Sequence, residues 1–221
     1  MATNVYKTLA KIVGILLLIV GVVAIYTGSF AGGFVKDELT AQGITMPTEQ
    51  AINAQTGKSI QQEDADILLK YAGSPMDTGA EAKAYAEHYV GAHMRNTAKQ
   101  NDISAATFQA AGDKVTELTN ALKEELTAQN PDKSEQEITA LANAEIANKE
   151  TTNETAKKVA SLQKLRTDTF FMGSMIQGTL LNAYGWGLVG TIVTIVGWLL
   201  IVAGIIIALL GFVLGNKNRQ A

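Results

Sequence analysis

Two long stretches of the chain carry no charged side chain, residues 12–35 and residues 169–216. A helix needs about 20 apolar residues to cross roughly 30 Å of hydrocarbon. The first run, IVGILLLIVGVVAIYTGSF continuing through AGGFV, predicts one spanning helix over residues 12–35. The second run is long enough for two crossings, but its composition divides it. Residues 188–214 are dominated by Leu, Ile, Val, Gly and Ala and predict a second span. Residues 169–187 contain Gln177, Asn182 and several glycines, and are too short for another crossing with a turn. They predict a helix that lies at or rises from the interface and leads into the span. Phe170, Phe171, Tyr184 and Trp186 there suit the aromatic belt, where ring and polar atom each meet their preferred medium.

Between the runs the pattern becomes that of short amphipathic helices. Pro47, Pro75 and Pro131 divide this part. Residues 36–75 predict loops with a short helix near residues 63–71. Thr78 and Glu81 have the spacing of a reciprocal N-terminal box, so a helix is expected over residues 78–95, with Ala82, Tyr85, Tyr89 and Ala92 at helical spacing. Val115, Leu118, Leu122 and Leu126 form a stripe on a helix expected over about residues 105–128, which Asn130-Pro131-Asp132 breaks. A second box, Ser134 with Glu137, starts a returning helix towards Arg166. Its apolar positions Ile138, Leu141, Ile146 and Leu162 are sparse, and Thr151-Thr152-Asn153 is where it could break. Residues 105–166 thus predict an α-helical hairpin. The fold class is all-α: two antiparallel spanning helices with a helical extracytoplasmic segment.

Charge fixes the expected orientation. Residues 36–168 carry 14 basic and 21 acidic residues, a net charge of −7, while the two ends carry 4 basic residues and no acidic one. Lys7 and Lys11 precede the first span, and Lys217 and Arg219 follow the second. Positive charge near span ends stays in the cytoplasm. Residues 1–11 and 215–221 are therefore expected inside the cell membrane, with residues 36–168 outside. A cleaved signal peptide is the competing reading of the first run, since Ser29-Phe30-Ala31 has the small-x-small form of a cleavage site. The length of the apolar run stands against it. With a pI near 5.5 and no basic stripe, nucleic acid is not an expected partner. The chain has no cysteine, which excludes disulfides and thiolate sites.

Gly14, Gly21 and Gly28 recur every seven residues in the first run, as do Gly190, Gly197, Gly204 and Gly211 in the second. Seven residues is close to two helical turns, so each set lines one face. Small residues let two backbones approach where no hydrophobic force acts between helices. The expectation is an antiparallel pair with these faces together, crossing at a shallow left-handed angle; a partner subunit could occupy the same faces instead.

Chemistry is thinly represented. The two histidines, His88 and His93, are five residues apart and differ by about 140° in direction, whereas metal sites on one helix use i, i+4 spacing. No nucleophile elbow, dinucleotide fingerprint or phosphate-binding loop occurs. No cofactor or metal is expected. An enzyme or small-molecule binder built on Glu87, His88 and Tyr89 is the least favoured function.

The segments LTAQGITMP (39–47), AKAYAEHYVGAHM (82–94) and TFFMGSMIQGTLLNAYGWG (169–187) resemble a family of small actinobacterial membrane proteins with two spans around an outward segment. Many members carry the label aromatic ring-opening dioxygenase. Such an iron enzyme would want a two-histidine, one-carboxylate triad, for which the histidines here are badly spaced. The likeness covers roughly residues 36–94 and 169 onward, and residues 112–166 look longer than the family pattern. Some proteins of this type are accessory subunits of the cytochrome bcc–aa3 respiratory supercomplex. The resemblance implies a non-catalytic accessory subunit of that membrane complex, with oxidase subunits and membrane lipids as partners. The alternative is a self-associating scaffold of the cell envelope, with the glycine seam joining identical copies.

Overall fold

The computed structural model describes residues 2–216, so the cationic pair Lys217 and Arg219 lies outside the described residues. Those residues are almost wholly helical, with two isolated β-bridges, Thr45 with Pro75 and Thr56 with Ile60, and no strand. In chain order the helices are α1 Ala2–Ala41, α2 Glu49–Gln55, α3 Gln62–Leu68, α4 Gly79–Ala84, α5 Gly91–Gln100, α6 Phe108–Gln129, α7 Glu135–Ala147, α8 Glu154–Leu165 and α9 Met172–Asn216. A 3₁₀ turn, Leu69–Tyr71, closes α3. Two π-helical turns, Tyr85–Val90 and Arg166–Phe171, join α4 to α5 and α8 to α9.

Among the described residues, two helices are long and apolar enough to cross a membrane. One is Val5–Ala41, and the other is the continuous helical run Glu154–Val213. Both outlast a bilayer: at 1.5 Å per residue the 40 residues of α1 measure about 60 Å, about twice the hydrocarbon thickness. α1 runs past Lys7 and Lys11 at one end and Lys36, Asp37 and Glu38 at the other. Residues 169–187, expected as an approach to the second span, are helical without a break into it, with the π turn Arg166–Phe171 at their start.

The described residues form two compact units. The first comprises the residues up to Thr45, Pro75–Ala82, and those from Leu181 onward. Beside the two apolar helices it holds the start of α4, where Thr78 and Glu81 form their reciprocal box. The Glu81 N–H donates to Thr78 Oγ1 at 3.3 Å, and Glu81 Oε2 accepts from the N–H groups of Asp77 and Thr78, each at 3.0 Å. The Met76 N–H donates to the Ile44 carbonyl at 2.9 Å, and Lys36 Nζ meets Asp77 Oδ2 at 3.2 Å.

The second unit, Met46–Ser74 with Lys83–Leu180, contains α2, α3, α5 to α8 and both π turns. The returning segment is interrupted where Thr151-Thr152-Asn153 offered a break, and is two helices. α7 stops at Ala147, residues 148–153 form a connection, and Asn153 caps α8 by accepting the Ala156 N–H at 2.9 Å. Thr151 in this connection is buried and bonds Glu145, which ties the break to α7. The hairpin expected over residues 105–166 is therefore three helices, because Asn and Thr offer the backbone local bonds that compete with the helix ladder. Two apolar clusters hold them together. Leu122, Leu126, Ile138, Ala142 and Ala156 form one. Met94, Ala98, Ile103, Ala110, Ala111, Leu162 and Phe170 form the other. The sparse large apolar positions are supplemented by the buried alanines Ala110, Ala111, Ala142 and Ala156. The box at Ser134 and Glu137 also forms, and the Ser134 N–H and hydroxyl hold the Glu137 carboxyl below its usual range.

Candidate functional site

The seven seam glycines lie on the two apolar helices, and each meets the other helix within the first unit. A Cβ added at Gly14 would fall 2.8 Å from the Gly204 carbonyl oxygen and 2.6 Å from the Ala208 nitrogen. At Gly21 it would fall 2.8 Å from the Gly197 carbonyl oxygen, and at Gly28 2.5 Å from that of Gly190 and closer still to Thr194 Oγ1. Gly211 comes against Lys11 in the same way, at 3.0 Å from its Cγ. At Gly14, Gly21 and Gly28 these include backbone atoms of the other helix, so a side chain there could not be accommodated by a rotamer change alone. Lys11 Nζ also sits 4.4 Å from the centroid of the Phe212 ring, an attraction between a cation and a ring face.

The four belt aromatics separate. Phe171 and Trp186 are exposed, at 45% and 60% of their surface, and Tyr184 is half-buried, its backbone against Gly79. Phe170 is a correction: its ring is fully buried in the second unit's core among Met94, Ala111 and Leu162, so it cannot lie at a lipid or partner surface. The wider π turn returns Phe170 to the face of α8 that carries Leu162, and its neighbour Phe171 is left outside. There Phe171 packs edge-on against Phe108, with centroids 5.8 Å apart, and the Arg166 guanidinium covers the other ring at 3.9 Å.

The second unit also holds a polar cluster with no signature in the sequence. Asp64 of α3 is buried. Its Oδ1 lies 2.8 Å from His88 Nδ1, and both carboxylate oxygens accept from Arg95 Nη2 at 2.9 Å. A carboxylate only accepts, so Nδ1 carries the ring proton. Arg95 Nη1 donates to the Glu87 carbonyl at 3.3 Å, and His88 Nε2 is 3.8 Å from Glu87 Oε2. Asp64 thereby binds α3 to the first π turn and to α5.

The π turn itself turns carbonyls outward. The Ala86 carbonyl accepts the Gly91 N–H five residues on and also Gln177 Nε2 of α9, at 2.9 Å. Gly91 makes room for this: a Cβ there would lie 2.8 Å from Gln177 Nε2 and 3.0 Å from Arg95 Nη1. Gln177, one of the two carboxamide residues within 169–187, is thus a structural donor. Gln177→Leu is expected to lower the stability of the full chain by about 1 kcal/mol, the net worth of one neutral hydrogen bond, measured by thermal unfolding in mild detergent.

Of the residues weighed for chemistry, Glu87 and His88 lie together, while Tyr89 joins another set. Its ring packs on Tyr85 at 4.9 Å and meets His93 edge-on at 4.8 Å. Burial pushes the His93 imidazole below its ordinary value and the Tyr85 phenol above its own, the latter reinforced by Tyr89. For His93 the sign is that of a base held neutral. The unfolded chain takes up the proton first, so His93 favours the fold above the ordinary imidazole range and disfavours it progressively as pH falls below about 6.5. His93→Phe is expected to flatten the loss of thermal stability between neutral and mildly acid pH. Among the described residues no three His, Asp or Glu side chains converge on a common metal position. Comparisons with protein-family models, with curated proteins and with solved structures gave no match.

Proposed function

We propose that this chain is a non-catalytic accessory subunit that binds laterally to a larger membrane complex. In this reading α1 and α9 span the cell membrane as an antiparallel pair. Both termini lie in the cytoplasm, and the acidic central part faces outward. The observation that carries it is how the apolar surface is divided. The glycine faces of α1 and α9 meet each other within one chain, which leaves both spans to present an uncharged aliphatic and aromatic flank outward. Charges within spans mark ion paths and proton relays; a flank of this composition instead suits van der Waals packing against lipid or another protein's helices. The polar cluster of the second unit fits the same reading, since Asp64, His88, Arg95 and Gln177 spend their polar atoms on holding helices together.

The sequence resemblance makes the actinobacterial cytochrome bcc–aa3 supercomplex the assembly to test first. A tagged copy expressed at its native level and extracted in a mild detergent is expected to bring down oxidase subunits in near-constant ratio, identified by mass spectrometry. Recovery only as a small free particle would overturn the proposal. A scaffold joined through the glycine seam is the weaker reading, because those faces are already taken up within the chain.

A further inference from the structure

The residue after a seam glycine lies about 100° round its helix from the seam. In an antiparallel pair the residues that follow the glycines on both helices fall on the same side. On α1 these are Ile15, Val22 and Ser29; on α9 they are Thr191, Trp198, Ile205 and Phe212, and all seven are exposed. The opposite side carries the residues that precede the glycines: Val13, Val20, Thr27, Val189, Val196, Ala203 and Leu210.

The level of Trp198 is fixed from both ends. Lys11 and Lys36 bracket the uncharged stretch of α1, whose midpoint falls between Val23 and Ala24. A Cβ on Gly197 would lie 2.8 Å from the Gly21 carbonyl oxygen and 2.7 Å from Ile25 Cγ1, so Trp198 is level with residues 21–25. If α1 spans the bilayer, this is the midplane. Trp198 is 58% exposed there, and among the described residues none pairs with its indole N–H. Tryptophan suits the membrane interface, where its N–H can reach water; at the midplane that donor costs free energy unless a protein group lies over it.

We propose that the side bearing Trp198 is covered by a second copy of this chain, related by a two-fold axis along the membrane normal. The inference rests only on the two-span reading, not on the identity of any larger complex. Such an axis keeps every residue at its depth and lays α1 of one copy over α9 of the other. Gly21 is level with Gly197, Gly28 with Gly190 and Gly14 with Gly204. Trp198 of each copy then seats over Val22 of the other, the large ring against a small side chain. The hydroxyl of Thr191, which donates to the Gly187 carbonyl at 2.9 Å and can still accept, meets Ser29, and Ile205 meets Ile15. The one face supplies a hydroxyl for each hydroxyl and a shallow place for each indole, as an isologous contact requires. The N–H of Trp198 is left within reach of the second copy's α1, where Tyr26, also exposed and within a turn of the midplane, offers a phenol oxygen.

The absence of native cysteine makes the test clean. Ser29→Cys/Thr191→Cys and Ile15→Cys/Ile205→Cys, each in the full chain in native membranes, are expected to form a linked species of twice the chain mass on mild oxidation. Val20→Cys/Val196→Cys, on the other side, is expected to stay monomeric. Adding Trp198→Ala should reduce the linked dimer several-fold while the chain remains in the membrane pellet after alkaline washing. Linking through Val20 and Val196 alone, or into a heavier species containing another protein, would overturn the second copy as occupant. Absence of linking with the chain retained in the pellet would overturn the dimer and leave the two-span reading standing; release by the alkaline wash would overturn both.

Discussion

Gly21→Leu and Gly197→Leu are each expected to force the two apolar helices apart and to lower the thermal stability of the full chain in detergent by roughly 3 kcal/mol or more. At Gly21 the first added carbon already lies 2.8 Å from the Gly197 carbonyl oxygen and 3.0 Å from the Ile201 nitrogen; at Gly197 it lies 2.8 Å from the Gly21 oxygen and 2.9 Å from the Ile25 nitrogen. Backbone atoms cannot swing aside, so relief requires the helix axes to separate, and the dispersion contacts along the whole seam weaken with them. Gly33→Ala supplies the contrast. Nothing lies within 4 Å of a Cβ at Gly33, and alanine favours a helix over glycine by about 0.8–1 kcal/mol. That variant is expected to be neutral or slightly more stable. If Gly21→Leu melted with the parent chain, the close contact between the two helices would have to be abandoned.

The second large effect is expected at Asp64. Asp64→Ala removes the acceptor shared by His88 and Arg95, at a cost of about 2–3 kcal/mol. The figure sits below that for a fully buried pair because the Arg95 side chain is 52% exposed and can regain water. His88, with 23% of its side chain exposed, has less recourse. Asp64→Asn keeps one acceptor of the same shape without the charge and is expected to fall between the two. Hydrogen exchange separates a local from a global effect. Protection should fall in Gln62–Leu68 and around the first π turn, while α6 and α7 keep theirs. Uniform loss across all helices, or none, would show that Asp64 does not act as the local clamp described.

How far each feature could be read from the sequence follows from the range of the interaction behind it. Both N-terminal boxes were legible because the partners are three residues apart and the geometry is set by one helical turn. The two uncharged runs were legible because hydrocarbon length sets a minimum that few soluble segments reach. The glycine period says that the residues share a face; which surface that face meets is a matter of coordinates. Asp64 is 24 residues from His88 and 31 from Arg95, and nothing local marks one aspartate among many as the buried one. The helix α2 escaped notice because EQAINAQ contains a single large apolar residue, Ile52. The burial of Phe170 rather than Phe171 escaped because the pair sits in a π turn, where the 3.6-residue period used to assign faces fails. Trp198 was passed over because its residue type is ordinary in a span; only depth and exposure together make it unusual.

The two π turns have a consequence for how this chain can change in length. Each holds one residue more than an α turn would, so loss of any single residue within Tyr85–Val90 would let the segment relax to ordinary helix. Everything beyond would keep its face, because an α turn one residue shorter covers nearly the same rotation as the π turn it replaces, and Met94 and Ala98 would stay in the core they now fill. A deletion of one residue there should therefore be better tolerated than one inside α6, which would rotate everything beyond it by about 100°, and the same holds in Arg166–Phe171 ahead of Phe170, whose ring would stay on the face that carries Leu162. The two segments are the places where this fold can take up a change of one residue in length, the first at the cost of the carbonyl that now accepts from Gln177.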